Sequence, residues 1–200
     1  MSKLKATALA GAILAAAAVA LLAPLANQLF AAHMIQHLLL IAVAAPLLVP
    51  SGVKIRLPPI VSWGLFVVIF LFWHWPMAFQ WAARHPAGEL LELTSILGTA
   101  TAFWSGILVP GSLSDGARAL MVMAAAVVTD LPGVVMLFAP RAICVMPGEN
   151  AARFGLTPLQ DQQIAGLLMW VPANLIFFGV AIYLFARWID VAETRRSVSS

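Results

Sequence analysis

The sequence predicts an all-α, polytopic membrane protein with a bundle of about six transmembrane helices. Of its 200 residues, 62% are hydrophobic and only 10% are charged, whereas roughly a quarter of the residues of a soluble domain are charged. The apolar residues fall into six stretches that are about long enough to cross a bilayer. These stretches occupy most of the chain, so we expect a single membrane domain over residues 1–200. The net charge of +3 is too small to indicate a nucleic-acid partner. We expect the basic residues to lie in short loops and the apolar stretches to contact membrane lipid.

Turn-forming or charged residues separate the predicted spans. The first span follows two lysines, and at about 20 residues it is longer than the ~7–15 apolar residues of a signal peptide, so we expect it to be retained. The last span is preceded by a polar helix start at Thr157-Pro158, and the polar tail from Glu193 is expected to be disordered. The six spans are predicted at about residues 6–25, 29–49, 60–76, 89–109, 117–139 and 164–189.

The positions of lysine and arginine predict that both chain ends are cytoplasmic, because short cytoplasmic loops are enriched in these residues. With the N-terminus inside, eight of the eleven lie on the cytoplasmic side and three lie outside. The inner set is Lys3, Lys5, Lys54, Arg56, Arg118, Arg187, Arg195 and Arg196. The outer set is Arg84, Arg141 and Arg153.

His33 and His37 are the most informative polar residues, because they lie four residues apart inside the second predicted span. That spacing places both imidazoles on one face of a helix. Polar residues at this depth are costly unless they face protein, water or a metal. Imidazole binds either oxidation state of copper and thioether prefers the reduced one. We therefore expect a copper site with His33, His37 and His74 as ligands, supplemented by Met34 or Met169.

Further polar residues are expected near this site as supporting or gating groups. In the predicted orientation, all four histidines lie in the outer half of the membrane protein or in its outer loops. The same outer half carries Gln36, Glu89, Glu92, Asp161 and Gln162. Asp130 lies near the middle of the fifth span, where it could carry protons, form a packing hydrogen bond at a proline kink, or act as a deep metal ligand.

Each of these residues also has a purely structural interpretation. The histidine pair could hydrogen-bond to neighbouring helices, and His74 could be an interfacial residue between two tryptophans. The methionines could simply pack, and glutamates are favourable at a helix N-terminus. Cys144 is the only cysteine, which excludes an internal disulfide and a CxxC metal site, and it could be an ordinary loop thiol.

Three segments carry motifs that resemble a known family. They are His33-Met-Ile-Gln-His37 running to Ala45-Pro46, then Trp73-His74-Trp-Pro76, and finally Leu156 to Pro172. Together they are similar to the polytopic bacterial cytochrome c oxidase assembly factors of the CtaG type, over about Leu29 to Trp188. The resemblance implies a non-enzymatic role in maturing heme-copper oxidases in the bacterial inner (plasma) membrane, with copper handled at the periplasmic or exterior face. The implied partners are oxidase subunits and periplasmic copper chaperones.

The start of the fourth span departs from the family pattern. Members usually carry His-x-x-Glu-His there, whereas this chain has Glu89-Leu-Leu-Glu92-Leu93, so the glutamate is kept and both histidines are lost. The resemblance then leaves two alternatives: Glu89 and His85 replace the lost pair, or the site binds metal more weakly.

Two other classes of function are compatible with the sequence. A copper or proton transporter would need a polar group at the midplane, which Asp130 provides. A heme- or quinone-binding membrane protein would use His33 or His37, together with His74, as axial ligands.

Overall fold

The all-α prediction is confirmed. The computed structural model describes residues 2–109, 111, 113–148 and 150–199, with side chains described to residue 194, and this part of the chain contains helices and no strand. The side chains of Arg195 and Arg196 lie outside the description. Five of the described helical segments are long and apolar enough to cross a membrane, or six if one bent pair is a single span. The orientation of the bundle stays a prediction.

The helices follow the predicted spans closely, with one addition. The break between the fourth and fifth helices falls at the Trp-His-Trp-Pro motif, and a short helix follows it where a loop was predicted. The helices are α1 (Lys3–Ala26), α2 (Phe30–Leu39), a π-helical turn (Leu40–Ala44), α3 (Ala45–Ser51), α4 (Pro59–Trp73), α5 (Pro76–Arg84), α6 (Pro86–Leu108), α7 (Asp115–Phe138), a 3₁₀ turn (Ala151–Phe154) and α8 (Pro158–Ser199).

The break between α4 and α5 has a local cause. Proline disfavours helical geometry in the residue before it, and Trp75, which precedes Pro76, is extended with φ −72° and ψ 128°. The chain therefore turns, and α5 leaves α4 at an angle of 74°. As a result, α4 has only 15 residues and ends at Trp73, with His74 as the capping residue that follows.

The tail also differs from the prediction. It was expected to be disordered from Glu193, but α8 continues to Ser199. Extending an existing helix is much less costly than nucleating a new one, and the residues at this end include good helix formers such as Ala192 and Glu193.

The π-helical turn lies just after the histidine pair and is explained by Pro46. Within the turn, the N–H of Ala45 donates to the carbonyl of Leu40, five residues back. The corresponding partner for Ile41 would be Pro46, which has no N–H. Instead, the indole Nε1 of Trp104 donates to the Ile41 carbonyl at 2.8 Å. This bond ties the second span to α6, the helix that carries Glu92.

Helices α7 and α8 pack against each other at two glycines. A Cβ atom added to Gly166 would lie 2.5 Å from the carbonyl oxygen of Gly133, and one added to Gly133 would lie 3.0 Å from that of Gly166. Small residues allow membrane helices to approach this closely. The start of α8 also binds α2, as described below. The close contact between α7 and α8 therefore helps to position α2.

Candidate metal centre

The two histidines of α2 meet a glutamate of α6 inside the bundle. His33 and His37 are each 2% exposed and Glu92 is fully buried. Oxygen Oε1 of Glu92 lies 3.4 Å from Nε2 of His33 and 3.4 Å from Nε2 of His37. One ligand atom from each of the three residues lies within 4.8 Å of the others, and no second group of this kind occurs in the described part of the chain. We call these three residues the His–Glu cluster.

Several ligand atoms of the His–Glu cluster lack hydrogen-bond partners. Nε2 of His33 hydrogen-bonds with Glu92, but neither ring nitrogen of His37 makes a hydrogen bond, and Oε2 of Glu92 also has no partner. Burying polar atoms without partners is costly, and most buried polar atoms in proteins are satisfied. The free atoms are of the kind that coordinate a metal ion.

His74 lies beside the His–Glu cluster because α4 ends there. Its ring centroid is 5.4 Å from that of His37, and the ring stacks on Phe70 at 4.0 Å. Its Nδ1 lies 2.6 Å from the carbonyl oxygen of Phe70; since a carbonyl only accepts, Nδ1 carries the proton. Nε2 is therefore left with its lone pair, buried and without a partner, which is the state in which imidazole binds a metal.

The two candidate methionines border a small cavity together with His37. Met34, His37 and Met169 are among the residues that line it, and its volume of about 30 Å³ is enough for about one water molecule. Both methionines are at least nine-tenths buried. One histidine and two methionines therefore border the same small space, together with mostly apolar side chains.

Asp161 does not join the His–Glu cluster but holds the helix that carries it. The residue before α2, Leu29, provides no capping side chain. Asp161 of α8 takes that role, because its carboxylate accepts hydrogen bonds from the N–H groups of Phe30 at 2.7 Å and Ala31 at 3.0 Å. A carboxylate is also favoured there by the helix dipole. The contact fixes the start of α2, three residues before His33.

Replacing Asp161 with asparagine is expected to lower the stability of the protein by about 1–2 kcal/mol, because the amide keeps one acceptor oxygen and loses the charge and the second. Thermal unfolding of the protein in detergent measures the loss. Asp190→Asn is the matched control, since Asp190 lies on the same helix and is exposed. Equal unfolding temperatures for the two variants would show that Asp161 does not support α2.

Two glutamines predicted near the site form hydrogen bonds with other segments of the chain. Oε1 of Gln162 accepts from the N–H groups of Ile143 and Cys144 at 2.6 and 2.9 Å, and its Nε2 donates to the carbonyl of Met136. Gln36 faces α1, where its Nε2 donates to the carbonyl of Val19 at 2.8 Å. Neither glutamine belongs to the His–Glu cluster.

The remaining candidates lie apart from the His–Glu cluster. Asp130 accepts a hydrogen bond from Asn174 at 2.9 Å. His85 is exposed and bonds through Nδ1 to the carbonyl of Trp81. Glu89 lies in the first turn of α6 and is partly exposed. The structure therefore does not bring Glu89 and His85 to the positions of a replacement ligand pair.

The family is decided by comparison with known proteins. A family model for the cytochrome c oxidase caa3 assembly factor (Caa3_CtaG) matches residues 50–190. The chain belongs to this family. No curated protein and no solved structure matches the chain.

The family prediction from the sequence is thus confirmed, with a shorter range than expected. The resemblance was expected from about Leu29, whereas the match begins at residue 50. His74 and Glu92 fall inside the matched segment, and His33 and His37 fall outside it. His33 and His37 are therefore included in the site because of their spacing and the geometry of the cluster, and not because of the family match.

Cys144 is buried in the loop between α7 and α8, at 1% exposure. Burial raises the pKa of its thiol to about 12. At about pH 8, only about one molecule in 10⁴ would then carry the reactive thiolate. We expect the folded protein to resist a maleimide reagent and the denatured protein to react fully, as mass spectrometry would show. Rapid labelling of the folded protein would contradict the burial of this thiol.

Sequence reasoning gave Glu92 a supporting role, whereas the structure places it in direct contact with both histidines. The sequence does contain a signal that Glu92 needs a partner. An acidic residue two turns into an apolar helix is costly unless it has a partner, and α6 offers none of its own for the Glu92 carboxylate. The partner lies on α2, 59 residues earlier in the chain, a contact that no local pattern predicts.

Proposed function

We propose that this assembly factor binds copper at the His–Glu cluster and transfers it to a heme-copper oxidase during assembly. The observation that carries the proposal is the meeting of two imidazoles and a carboxylate from α2 and α6, all buried. Both ring nitrogens of His37 and Oε2 of Glu92 have no hydrogen-bond partner. Family membership supports the oxidase as client. The metal is the cargo in this proposal, and no reaction is catalysed.

The chemistry of the neighbouring groups favours copper over other metals. Thioethers are soft ligands that select reduced copper, and imidazole accepts both oxidation states. His37 belongs to two groups of candidate ligands. It is part of the His–Glu cluster, and it also lines the small cavity with Met34 and Met169. The same ring could therefore remain a ligand while the other ligands change with the oxidation state.

The ligand set also suits transient binding. A structural metal site in a protein is usually closed by four protein ligands, whereas the His–Glu cluster has three residues, with His74 beside it. An open coordination position allows an incoming ligand from a partner to bind before the first ligands leave. We infer that transfer proceeds by such ligand exchange.

The proposed location of the site is the outer half of a bacterial plasma membrane. His33 and His37 lie three and seven residues after the start of α2 at Phe30, or roughly 5 and 10 Å along the helix at ~1.5 Å per residue. The distribution of lysine and arginine in the sequence supports an outer position for that end of α2. A site there would be accessible to periplasmic copper chaperones and to oxidase subunits.

The test is oxidase maturation in cells. In a host that lacks its own copy of the protein, we expect His33→Ala/His37→Ala to leave the oxidase short of copper and inactive, while His85→Ala restores it as the wild type does. His85 is the matched control because it is exposed and lies outside the His–Glu cluster. The readouts are copper per heme in the purified oxidase and oxygen consumption, with the variant present in the membrane at wild-type amounts. A fully metallated oxidase from cells with the double variant would refute the proposal.

One observation favours a second candidate, the binding of heme or a quinone. A largely apolar cavity of about 570 Å³ lies beside His74, between the α4–α5 break and α7, and is also lined by Met136 and Pro132. Its volume is within the range of small-molecule sites, ~300–1,000 Å³. Bound heme would give a Soret band in the optical spectrum of the purified protein, and a bound quinone would be recovered by extraction into organic solvent and detected by its ultraviolet absorption. Copper transfer requires neither.

A further inference from the structure

A basic cavity lies at the opposite end of α6 from Glu92. It has a volume of about 230 Å³ and lies where the linker after α3 passes the end of α6 and the start of α7. Three basic side chains line it, Lys54, Arg56 and Arg118, together with Ser105. We propose that this cavity binds a phosphate group, carried by the headgroup of an anionic phospholipid. The inference does not depend on copper binding.

Arg118 is the most informative residue of the basic cavity, because it is a buried cation with unused donor capacity. It is 7% exposed, and its Nη1 lies 3.3 Å from Oδ1 of Asp115. Its Nε has no hydrogen-bond partner. A guanidinium presents several N–H groups in a fixed plane that matches phosphate oxygens. Arg118 can thus keep its ion pair and still donate to a phosphate.

The charge around the basic cavity is not balanced. Asp115 is shared, since its Oδ2 also lies 3.3 Å from Nη2 of Arg187. Lys54 and Arg56 make no ion pair in the part of the chain that the structure describes. The described lining of the cavity therefore holds three basic side chains and no carboxylate. Such an excess attracts an anion.

The linker indicates a lipid as the source of the phosphate. Its basic residues alternate with Val53, Ile55 and Leu57, whose side chains are exposed by 46%, 37% and 39%. Exposed apolar side chains next to basic ones are typical of a segment at the membrane interface, where apolar groups contact acyl chains and cations reach the headgroups. This is also the side that the sequence predicts to be cytoplasmic, where anionic lipids concentrate. Free inorganic phosphate would leave the apolar side chains without a role.

The test is native mass spectrometry of the full-length protein in detergent, titrated with phosphatidylglycerol or with phosphatidylcholine. We expect Lys54→Gln/Arg56→Gln to weaken phosphatidylglycerol binding by about 30-fold, equivalent to about 2 kcal/mol for two basic groups near the headgroup. Arg141→Gln/Arg153→Gln is the matched control: it removes the same charge from two other exposed positions and should leave binding within a factor of about three. Gel filtration verifies that both variants are folded.

Two further comparisons make the test decisive. Arg118→Lys keeps the positive charge but removes the Nε donor, so weaker phosphatidylglycerol binding by this variant would support the cavity itself as the site. Competition by millimolar inorganic phosphate distinguishes the sources, because a lipid held also by its acyl chains should not be displaced. Equal losses in the two double variants, equal binding of the two lipids, or displacement by inorganic phosphate would overturn the proposal of a lipid headgroup site.

Discussion

Replacing Glu92 with glutamine is expected to weaken copper binding by about 100-fold or more. Loss of a residue that merely supports a metal ligand typically costs 10–100-fold in affinity, and Glu92 contacts both histidines directly. Glutamine has nearly the same shape and still offers an oxygen to His33, so the packing around the site is retained. What is lost is the negative charge and the anionic oxygen that would face the metal.

The effect on copper should be separable from an effect on folding. Neutral imidazoles are the expected ligands, so Glu92→Gln leaves no opposite buried charge without a partner. We therefore expect this variant to unfold at nearly the wild-type temperature in the absence of metal. Competition with a copper(I) chelator measures the affinity. Glu89→Gln is the control, because Glu89 lies on the same helix but outside the His–Glu cluster. Unchanged copper affinity in Glu92→Gln would exclude Glu92 as a ligand.

Replacing Gly166 with alanine is expected to destabilise the protein by about 3 kcal/mol, at the upper end of the range for overpacked sites. The added Cβ would lie 2.5 Å from the carbonyl oxygen of Gly133 and 3.0 Å from the backbone N of Leu137. Both contacts are backbone atoms of α7, so no side-chain rotation relieves them and the two helices must separate.

The same change should reach the site, because Asp161 lies five residues earlier on α8 and caps α2. We expect Gly166→Ala to lower both the unfolding temperature and the copper occupancy. Gly179→Ala is the control on the same helix, since no atom lies within 4 Å of the Cβ it would add. If both variants unfold at the same temperature, the close approach of α7 and α8 is not important for stability.

The sequence was sufficient for the fold class and for the approximate spans, because hydropathy reflects the one requirement that all membrane helices share. It ended the third span at about residue 76, close to the end of α4 at Trp73, but it was not sufficient for the short helix α5 that follows or for the angle between the two helices. A proline ends a helix in some contexts and only kinks it in others, and the 74° bend depends on how α5 packs afterwards.

The sequence likewise predicted some features of the site and not others. The i, i+4 spacing of His33 and His37 placed two imidazoles on one face, and the structure has their ring centroids 4.6 Å apart. Asp161 was predicted near the site, but its role as a cap for α2 depends on a contact across 131 residues. Long-range pairings of this kind follow from the packing of helices and not from local patterns.

The most direct test of the account is the copper content of the purified protein after loading with copper(I) and removal of unbound metal. We predict about one copper ion per chain in the wild type and almost none in a folded His33→Ala/His37→Ala variant, because neutral imidazoles are the expected ligands. Equal copper in the two proteins would place the metal elsewhere. Absence of copper from both would contradict the proposal that this assembly factor handles copper.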